Sequence, residues 1–136
     1  MFILDTNVVS ALRRPERAPQ VLEWAQRNRQ SGVFISVITL GEIENGIARQ
    51  ERRDSAFADD LAQWRDVILG QYAGGLLPVK LEDALRWGRL SSIIGNNGPD
   101  IMIAAQALTR DWIVVTRNTS DFVPTGARVI NPFEPT

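Results

Sequence analysis

Short apolar runs alternate along this chain with longer segments whose apolar residues recur at helical spacing. Strands that alternate with helices over short connections are typical of an α/β domain with a mostly parallel sheet. We therefore expect a three-layer α/β/α structure with helices on both faces of the sheet. The length of 136 residues suits a single domain spanning residues 1–136. The apolar runs predict five strands, at residues 2–4, 33–37, 76–79, 112–116 and 128–130.

Polar residues and glycines predict where the helices begin and end. Thr39 and Glu42 match the capping-box pattern, which predicts a helix that starts at Thr39 and runs to about residue 53. Asp54 predicts the start of the next helix. Gly95 ends a predicted helix that begins near residue 82, and Pro99 opens the one that follows.

The composition excludes several kinds of catalytic site. The chain contains no cysteine and no histidine, which excludes disulfides, thiolate or imidazole metal sites, and Ser-His-Asp or Cys-His catalysis. Any catalysis must therefore depend mainly on other groups, chiefly the 16 acidic side chains. Carboxylates suit hard cations such as Mg²⁺ or Mn²⁺.

Charge and hydropathy give further limits. The net charge of −1 argues against binding that is driven by a net positive field. Met1 leads directly into an apolar triplet without a basic region or a hydrophobic stretch of signal length. We therefore expect a soluble, cytoplasmic protein.

Four carboxylates are placed so that the predicted sheet would bring them to one edge. Asp5 ends the first strand, Glu42 lies in the first predicted turn after the second strand, and Asp121 follows the fourth strand. Asp100 begins the helix that returns to the fourth strand. Ligands of open parallel sheets bind beyond the carboxyl ends of the strands, so these acids could converge on one cleft. Converging carboxylates repel one another, and a divalent cation would relieve the repulsion and could activate water for phosphodiester hydrolysis.

Each acid also has an ordinary structural explanation. Asp5 could cap the helix that follows it, Glu42 could complete the capping box, and Asp100 could complement a helix dipole. Asp121 could be a turn residue. No single acid decides between these explanations, and only their joint placement at one edge favours a functional site.

Four motifs, taken in order, resemble a PIN domain. The order, spacing and total length are most similar to the VapC-type toxin ribonucleases of bacterial toxin–antitoxin pairs, and the resemblance covers essentially the whole chain. The motifs are ILDTN at residues 3–7, a strand followed by glutamate at residues 36–42, PDIMIAA at residues 99–105 and VTRNTSDF at residues 115–122.

The resemblance implies a metal-dependent endoribonuclease that hydrolyses RNA phosphodiester bonds with Mg²⁺ or Mn²⁺. Asp5, Glu42 and Asp100 stand in the principal acidic positions of the family, where they would act as catalytic and metal-binding residues. The fourth position stays open. Some relatives carry an acid where this chain has Asn118, and others carry it where Asp121 stands. Asp121 is the available carboxylate, and Asn118 could bind a metal-bound water.

Further residues are assigned more weakly. Thr116 matches a polar position beside the metals of the family, and Thr6 and Asn7 are interpreted as residues that support the site or cap the first helix. RNA phosphates would need positive side chains, although an ordinary solvated arginine surface explains the same residues equally well. The candidates are Arg13, Arg14, Arg17 and Arg117.

The resemblance also implies partners for the protein. They are a cognate VapB-type antitoxin, whose arginine could enter the acidic pocket, and a second copy of the chain in a homodimer. The competing hypothesis is a module with a PIN-like fold that binds RNA or a protein without cutting it. Divalent-dependent cleavage that disappears in Asp5→Asn would separate the two hypotheses.

Overall fold

The central sheet of the computed structural model, which describes residues 1–135, consists of parallel strands. The predicted α/β fold with a mostly parallel sheet is confirmed. Thr136, the last residue of the predicted domain, lies outside the described residues. The strands are β1 (Phe2–Leu4), β2 (Val33–Ser36), β3 (Leu76–Leu77), β4 (Ile113–Val115) and β5 (Val129–Ile130), in the spatial order β3-β2-β1-β4-β5.

Helices connect the strands, and none of those in residues 1–135 is long and apolar enough to cross a membrane. Short 3₁₀ turns occupy Pro15–Arg17, Arg29–Ser31 and Val123–Thr125. The α-helices are α1 (Thr6–Leu12), α2 (Pro19–Arg27), α3 (Val37–Glu51), α4 (Ser55–Gln71), α5 (Leu81–Ile94), α6 (Pro99–Arg110) and α7 (Thr119–Phe122).

Both faces of the sheet are buried, which gives the predicted three layers. Successive strand residues point to opposite faces, so Ile3 and Leu4 enter different cores. Leu4 packs in a core with residues of α1, α2, α3 and α4, whereas Ile3 packs with residues of α6 and α7. Burial on both faces explains why the strands are continuous apolar runs rather than alternating ones.

The predicted start of α3 at Thr39, and with it the capping box, is wrong. The helix begins at Val37, and its N-cap is Ser36, whose hydroxyl accepts a hydrogen bond from the Ile38 N–H at 3.1 Å. Ser36 follows the last apolar residue of β2 directly, and its hydroxyl can accept a hydrogen bond from the first unpaired N–H groups of the helix. The helix therefore starts before Thr39. Thr39 is fully buried inside the helix, and Glu42 lies in its second turn rather than its first.

Other predicted boundaries are confirmed by their caps. The Asp54 carboxylate accepts a hydrogen bond from the Phe57 N–H at 3.1 Å at the start of α4. Gly95 ends α5 with a φ of 77°, a conformation that glycine adopts without steric cost. Pro99 occupies the first turn of α6, where its missing N–H is not needed.

A buried ion pair joins the start of α5 to the end of α6. Asp83 is fully buried and accepts two hydrogen bonds from the Arg110 guanidinium, at 2.8 and 3.1 Å, and one from the Lys80 N–H at 2.9 Å. Burial acts to raise the pKa of Asp83, but the hydrogen bonds from Arg110 and Lys80 outweigh it and hold the pKa below its usual value. The pair therefore stabilises the packing of the helix that presents Asp100.

We expect Asp83→Asn to lower the free energy of unfolding at pH 7 by about 3 kcal/mol, because it leaves the partly buried Arg110 without its counter-charge. Urea denaturation measures the change. The control is Asp111→Asn, since Asp111 pairs with Arg128 at 3.1 Å but is almost fully exposed, and asparagine tolerates its positive φ of 57°. A loss for Asp83→Asn no larger than that of the control would contradict this role of the pair.

The same pair gives a pH dependence. A carboxyl whose pKa is lowered by folding stabilises the native state above its unfolded pKa of about 3.9, and the contribution is lost as the pH falls through the lowered native value. The stability difference between wild type and Asp83→Asn should stay constant from pH 7 to 5 and shrink below about pH 4. Denaturation curves at several pH values check this sign.

Candidate active site

The predicted carboxylates line one cleft at the carboxyl end of the sheet. The cleft has a volume of about 260 Å³. Asp5, Glu42, Asp100 and Asp121 all border it, as they should if the sheet is parallel. The remaining lining residues are Thr6, Asn7, Pro99, Asn118 and Phe122.

The end of β1 places Asp5 among the residues that line this cleft. Its backbone N–H donates to the Val115 carbonyl at 2.9 Å, and its backbone and side chain begin α1 as the N-cap. Asp5 is 7% exposed, and its carboxylate accepts three hydrogen bonds. Oδ1 receives the Thr6 N–H at 2.9 Å, while Oδ2 receives the Thr116 hydroxyl at 2.8 Å and the Asn7 amide at 3.1 Å.

The number of hydrogen bonds decides which Asp5 oxygen is open to a further partner. Each carboxylate oxygen has about two lone-pair sites. Both sites of Oδ2 are taken by Thr116 and Asn7, whereas Oδ1 has one site left beside the Thr6 N–H. A cation or water in the cleft would therefore meet Asp5 chiefly through Oδ1.

Burial raises the pKa of the Asp5 carboxyl above its ordinary value, and the negative charge of Asp100 adds to the rise. The hydrogen bonds from Thr116, Thr6 and Asn7 oppose this effect without cancelling it. The cleft therefore disfavours a second negative charge, and a positive charge within it would be stabilised.

Asp100 enters the cleft from the first turn of α6. Its Oδ1 accepts a hydrogen bond from its neighbour, the Ile101 N–H, at 3.1 Å. A Cβ atom at Gly98 would lie 3.0 Å from that Oδ1, which is closer than real Cβ atoms normally approach. Gly98 thus leaves the space in which the Asp100 carboxylate lies, a role that the sequence pattern did not reveal.

Glu42 reaches the cleft from the second turn of α3. Its Oε1 accepts a hydrogen bond from the Thr6 hydroxyl at 2.6 Å. Thr39 lies three residues earlier on the same helix face, and its hydroxyl is 3.2 Å from that of Thr6. Sequence reasoning assigned Thr39 to a cap and missed this contact, although the spacing of Thr39 and Glu42 already puts both on one face.

Asn118 and Asp121 border the cleft from the segment after β4. The Asn118 N–H donates to the Thr116 hydroxyl at 3.0 Å, and the Asp121 N–H donates to the Asn118 carbonyl at 3.1 Å. Both residues are exposed and both line the cleft. The geometry therefore leaves open which of them supplies the fourth group of a metal site.

The four candidate arginines lie outside the residues that line the cleft. The Arg117 guanidinium lies over the Phe133 ring, 3.9 Å from its centroid, while its backbone N–H donates to the Asn7 side chain at 3.0 Å. Arg13 lies 5.2 Å from the centroid of the Phe57 ring. Arg14 and Arg17 are exposed beside the 3₁₀ turn at Pro15–Arg17.

The oxygen atoms that line the cleft determine whether a divalent cation fits it. No group of three or more acidic side chains in residues 1–135 is arranged to hold a metal ion as it stands. Mg²⁺, however, usually keeps several waters and needs only one or two direct carboxylates. The donor set of carboxylate and amide oxygens, together with the charge repulsion between Asp5 and Asp100, fits a hydrated cation of this kind.

Comparison with known proteins places the chain in a family. Residues 2–123 match the model of the PIN domain. A VapC ribonuclease of Sinorhizobium fredii is 32% identical over an alignment of 142 positions that covers 99% of each chain. The toxin FitB of Neisseria gonorrhoeae is 30% identical over 140 residues, 98% of this chain and 99% of FitB. The crystal structure of FitAcB from the same organism has a TM-score of 0.84 at 28% identity, and it covers 99% of this chain and 100% of that one. The chain therefore belongs to the PIN domain family and, within it, to the VapC-type toxins.

Proposed function

We propose that this chain is an endoribonuclease that hydrolyses RNA phosphodiester bonds and requires Mg²⁺ or Mn²⁺. The observation that carries the proposal is the cleft in which Asp5, Glu42, Asp100 and Asp121 meet. Similarity to a protein named a VapC ribonuclease supports RNA as the substrate. The lack of histidine and cysteine leaves carboxylates and a bound cation as the means of catalysis.

The residues have separate roles in this proposal. Asp5 and Asp100, whose charges repel, would hold the cation together with Glu42. The fourth group would be either Asp121, as a further carboxylate ligand, or Asn118, which would bind a metal-bound water. When bound, such a cation lowers the pKa of a coordinated water and offsets negative charge on the phosphoryl group.

Around these groups, neighbouring side chains prepare the site. Thr116 and Asn7 fix the orientation of Asp5 through its Oδ2. The exposed residues Arg14 and Arg17 are proposed to contact RNA phosphates. Arg13 and Arg117 are proposed to do the same, although their guanidinium groups pack on aromatic rings. Single-stranded RNA suits this arrangement because a flexible strand can bend into a cleft.

A VapB-type antitoxin belongs to the same proposal. The relative FitB is named a toxin, and the resemblance to the toxins of bacterial toxin–antitoxin pairs implies a partner that neutralises this chain. An arginine pairs well with carboxylates in a bidentate geometry, so an arginine of the antitoxin is suited to fill the acidic cleft in place of a cation.

The direct test is cleavage of RNA by the purified, antitoxin-free protein. We expect discrete fragments from total bacterial RNA with Mg²⁺ or Mn²⁺, and none with EDTA or with Asp5→Asn. Asp5→Asn should lower the cleavage rate by at least about a hundredfold. Loss of a residue that only orients a metal ligand already lowers activity by up to about a hundredfold, and loss of the ligand itself should lower it at least as much. Gel electrophoresis of labelled RNA gives the rates.

The controls separate cleavage from mere binding. Circular dichroism must show that Asp5→Asn is folded, and Asp111→Asn, which is remote from the cleft, should cut RNA like wild type. If folded wild-type protein cut no RNA with any divalent cation, the non-cleaving binding module would become the better hypothesis. Inhibition of growth that is unchanged in Asp5→Asn would argue the same way.

Metal binding should also stabilise the fold. A cation that binds only the native state adds about 2.7 kcal/mol at a free concentration of one hundred times its Kd. We therefore expect Mn²⁺ to raise the melting temperature of wild type, and to raise that of Asp100→Asn much less. Asparagine keeps the Oδ1 that accepts the Ile101 N–H, so this variant should fold. An equal rise in both proteins would remove Asp100 from the metal site.

We propose further that the chain forms a homodimer through α5. Leu81, Leu85 and Ile93 are 64–80% exposed on this helix, beside a surface cavity of about 410 Å³ that Leu85 and Ile93 also line. Large apolar side chains gathered on one exposed helix are typical of protein interfaces. No residue of α5 lines the cleft, so pairing through α5 would not bury the carboxylates directly.

Light scattering coupled to size exclusion tests the dimer. Wild type should elute with the mass of two chains, and Leu85→Glu should elute as a monomer because a charge at this position opposes burial. The matched control is Val67→Glu, which places the same charge on an exposed apolar position of α4. A wild-type monomer, or a dimer that survives Leu85→Glu, would contradict this interface.

A further inference from the structure

We propose that Thr6 is the positioning residue that holds Glu42 at the cleft, with the buried hydroxyl of Thr39 fixing the direction of the contact. The inference rests on the proposed function, because it concerns how the carboxylates are arranged for a cation. It assigns the Thr6 side chain a role distinct from capping α1, since the cap of that helix is the Asp5 carboxylate.

Thr6 contacts two carboxylates that come from different parts of the fold. Its backbone N–H donates to Asp5 Oδ1 at 2.9 Å, and its hydroxyl donates to Glu42 Oε1 at 2.6 Å. A hydroxyl–carboxylate distance of this length is typical of a charge-assisted hydrogen bond. One residue therefore links the carboxylate that follows β1 to the carboxylate on α3.

The proton count gives Thr39 its part in this link. A hydroxyl has one proton, and we assign that of Thr6 to Glu42 because this contact, at 2.6 Å, is shorter than the 3.2 Å contact with Thr39. The Thr39 hydroxyl lies 3.2 Å from that of Thr6, and because the single Thr6 proton is used for Glu42, Thr39 is assigned as the donor of this second contact. Thr39 is 0% exposed, so its hydroxyl needs a partner inside the protein. The chain of donors runs from Thr39 through Thr6 to Glu42.

Glu42 needs such a contact more than Asp5 does. Three hydrogen bonds hold the Asp5 carboxylate, and it is buried. Glu42 is only half-buried, and its longer side chain has more rotatable bonds, so its carboxylate would sample many positions if Thr6 did not bind it. Loss of the Thr6 hydroxyl should therefore weaken cation binding through Glu42, whereas the three hydrogen bonds of Asp5 do not involve that hydroxyl.

The experiment compares Thr6→Val with Thr6→Ser. Valine keeps the shape of threonine without its hydroxyl, and serine keeps the hydroxyl. Isothermal titration with Mn²⁺ should show a Kd about 10- to 100-fold higher for Thr6→Val, which is the usual effect of removing a group that orients a metal ligand. Thr6→Ser should bind Mn²⁺ like wild type. RNA cleavage should fall and recover in the same order.

A double-mutant cycle with Glu42→Ala separates positioning from general destabilisation. If Thr6 acts through Glu42, Thr6→Val should change the Mn²⁺ Kd less than about twofold when Glu42 is already absent. The same loss in both backgrounds would overturn the inference, because Thr6 would then act through Asp5 or through the fold. A Kd of Thr6→Val within about twofold of wild type would also overturn it.

The proposed function can fail separately. Wild-type protein that neither binds Mn²⁺ nor cuts RNA would contradict both proposals. Wild-type protein that does both, with Thr6→Val unchanged, would contradict only the role of Thr6.

Discussion

The parallel register of β1 between β2 and β4 is the constraint on which the site depends. Leu4 pairs with Ile35 on one side and with Val115 on the other, so these three residues lie at the same level in adjacent strands. The next residues along the chain are Asp5, Ser36 and Thr116. One row thus contains the buried carboxylate, the cap of α3 and the hydroxyl that donates to Asp5. A shift of register would separate all three.

The apolar faces of the sheet explain why the polar groups gather at this row. Ile3 and Leu4 fill cores on opposite faces, so β1 has no polar surface along its length. Helices begin immediately beyond the strands, and their N–H groups need acceptors. Asp5 meets this need but loses hydration, and burial together with Asp100 raises its pKa. Ionisation of Asp5 in the cleft is therefore less favourable than in water, and no positive side chain among the described residues that line the cleft offsets this. Carboxyl groups with a raised pKa are common in active sites.

Sequence patterns predicted the parts of this structure that depend on local chemistry. Apolar runs predicted the strands, and the position of each acid after a strand or at a helix start predicted the shared cleft. The start of α3 was wrong because Ser36 and Thr39 both suit a cap, and only the length of β2 decides between them. Individual side-chain contacts between distant segments could not be predicted from local patterns. The packing of Arg117 on Phe133 depends on how the segment after β5 returns to the sheet.

The hydrogen bonds around Asp5 all come from other residues of the chain, and together they fix the orientation of its carboxylate. The Asn7 amide donates to Asp5 and Thr116, and its oxygen accepts from the Arg117 N–H. Every polar atom of that side chain is engaged, so the carboxylate cannot turn without breaking several bonds. Two hydrogen bonds thus occupy Oδ2, whereas Oδ1 accepts only one. Because the ordering of Asp5 is complete in the folded protein, a ligand loses less of its binding energy to rearrangement of the site.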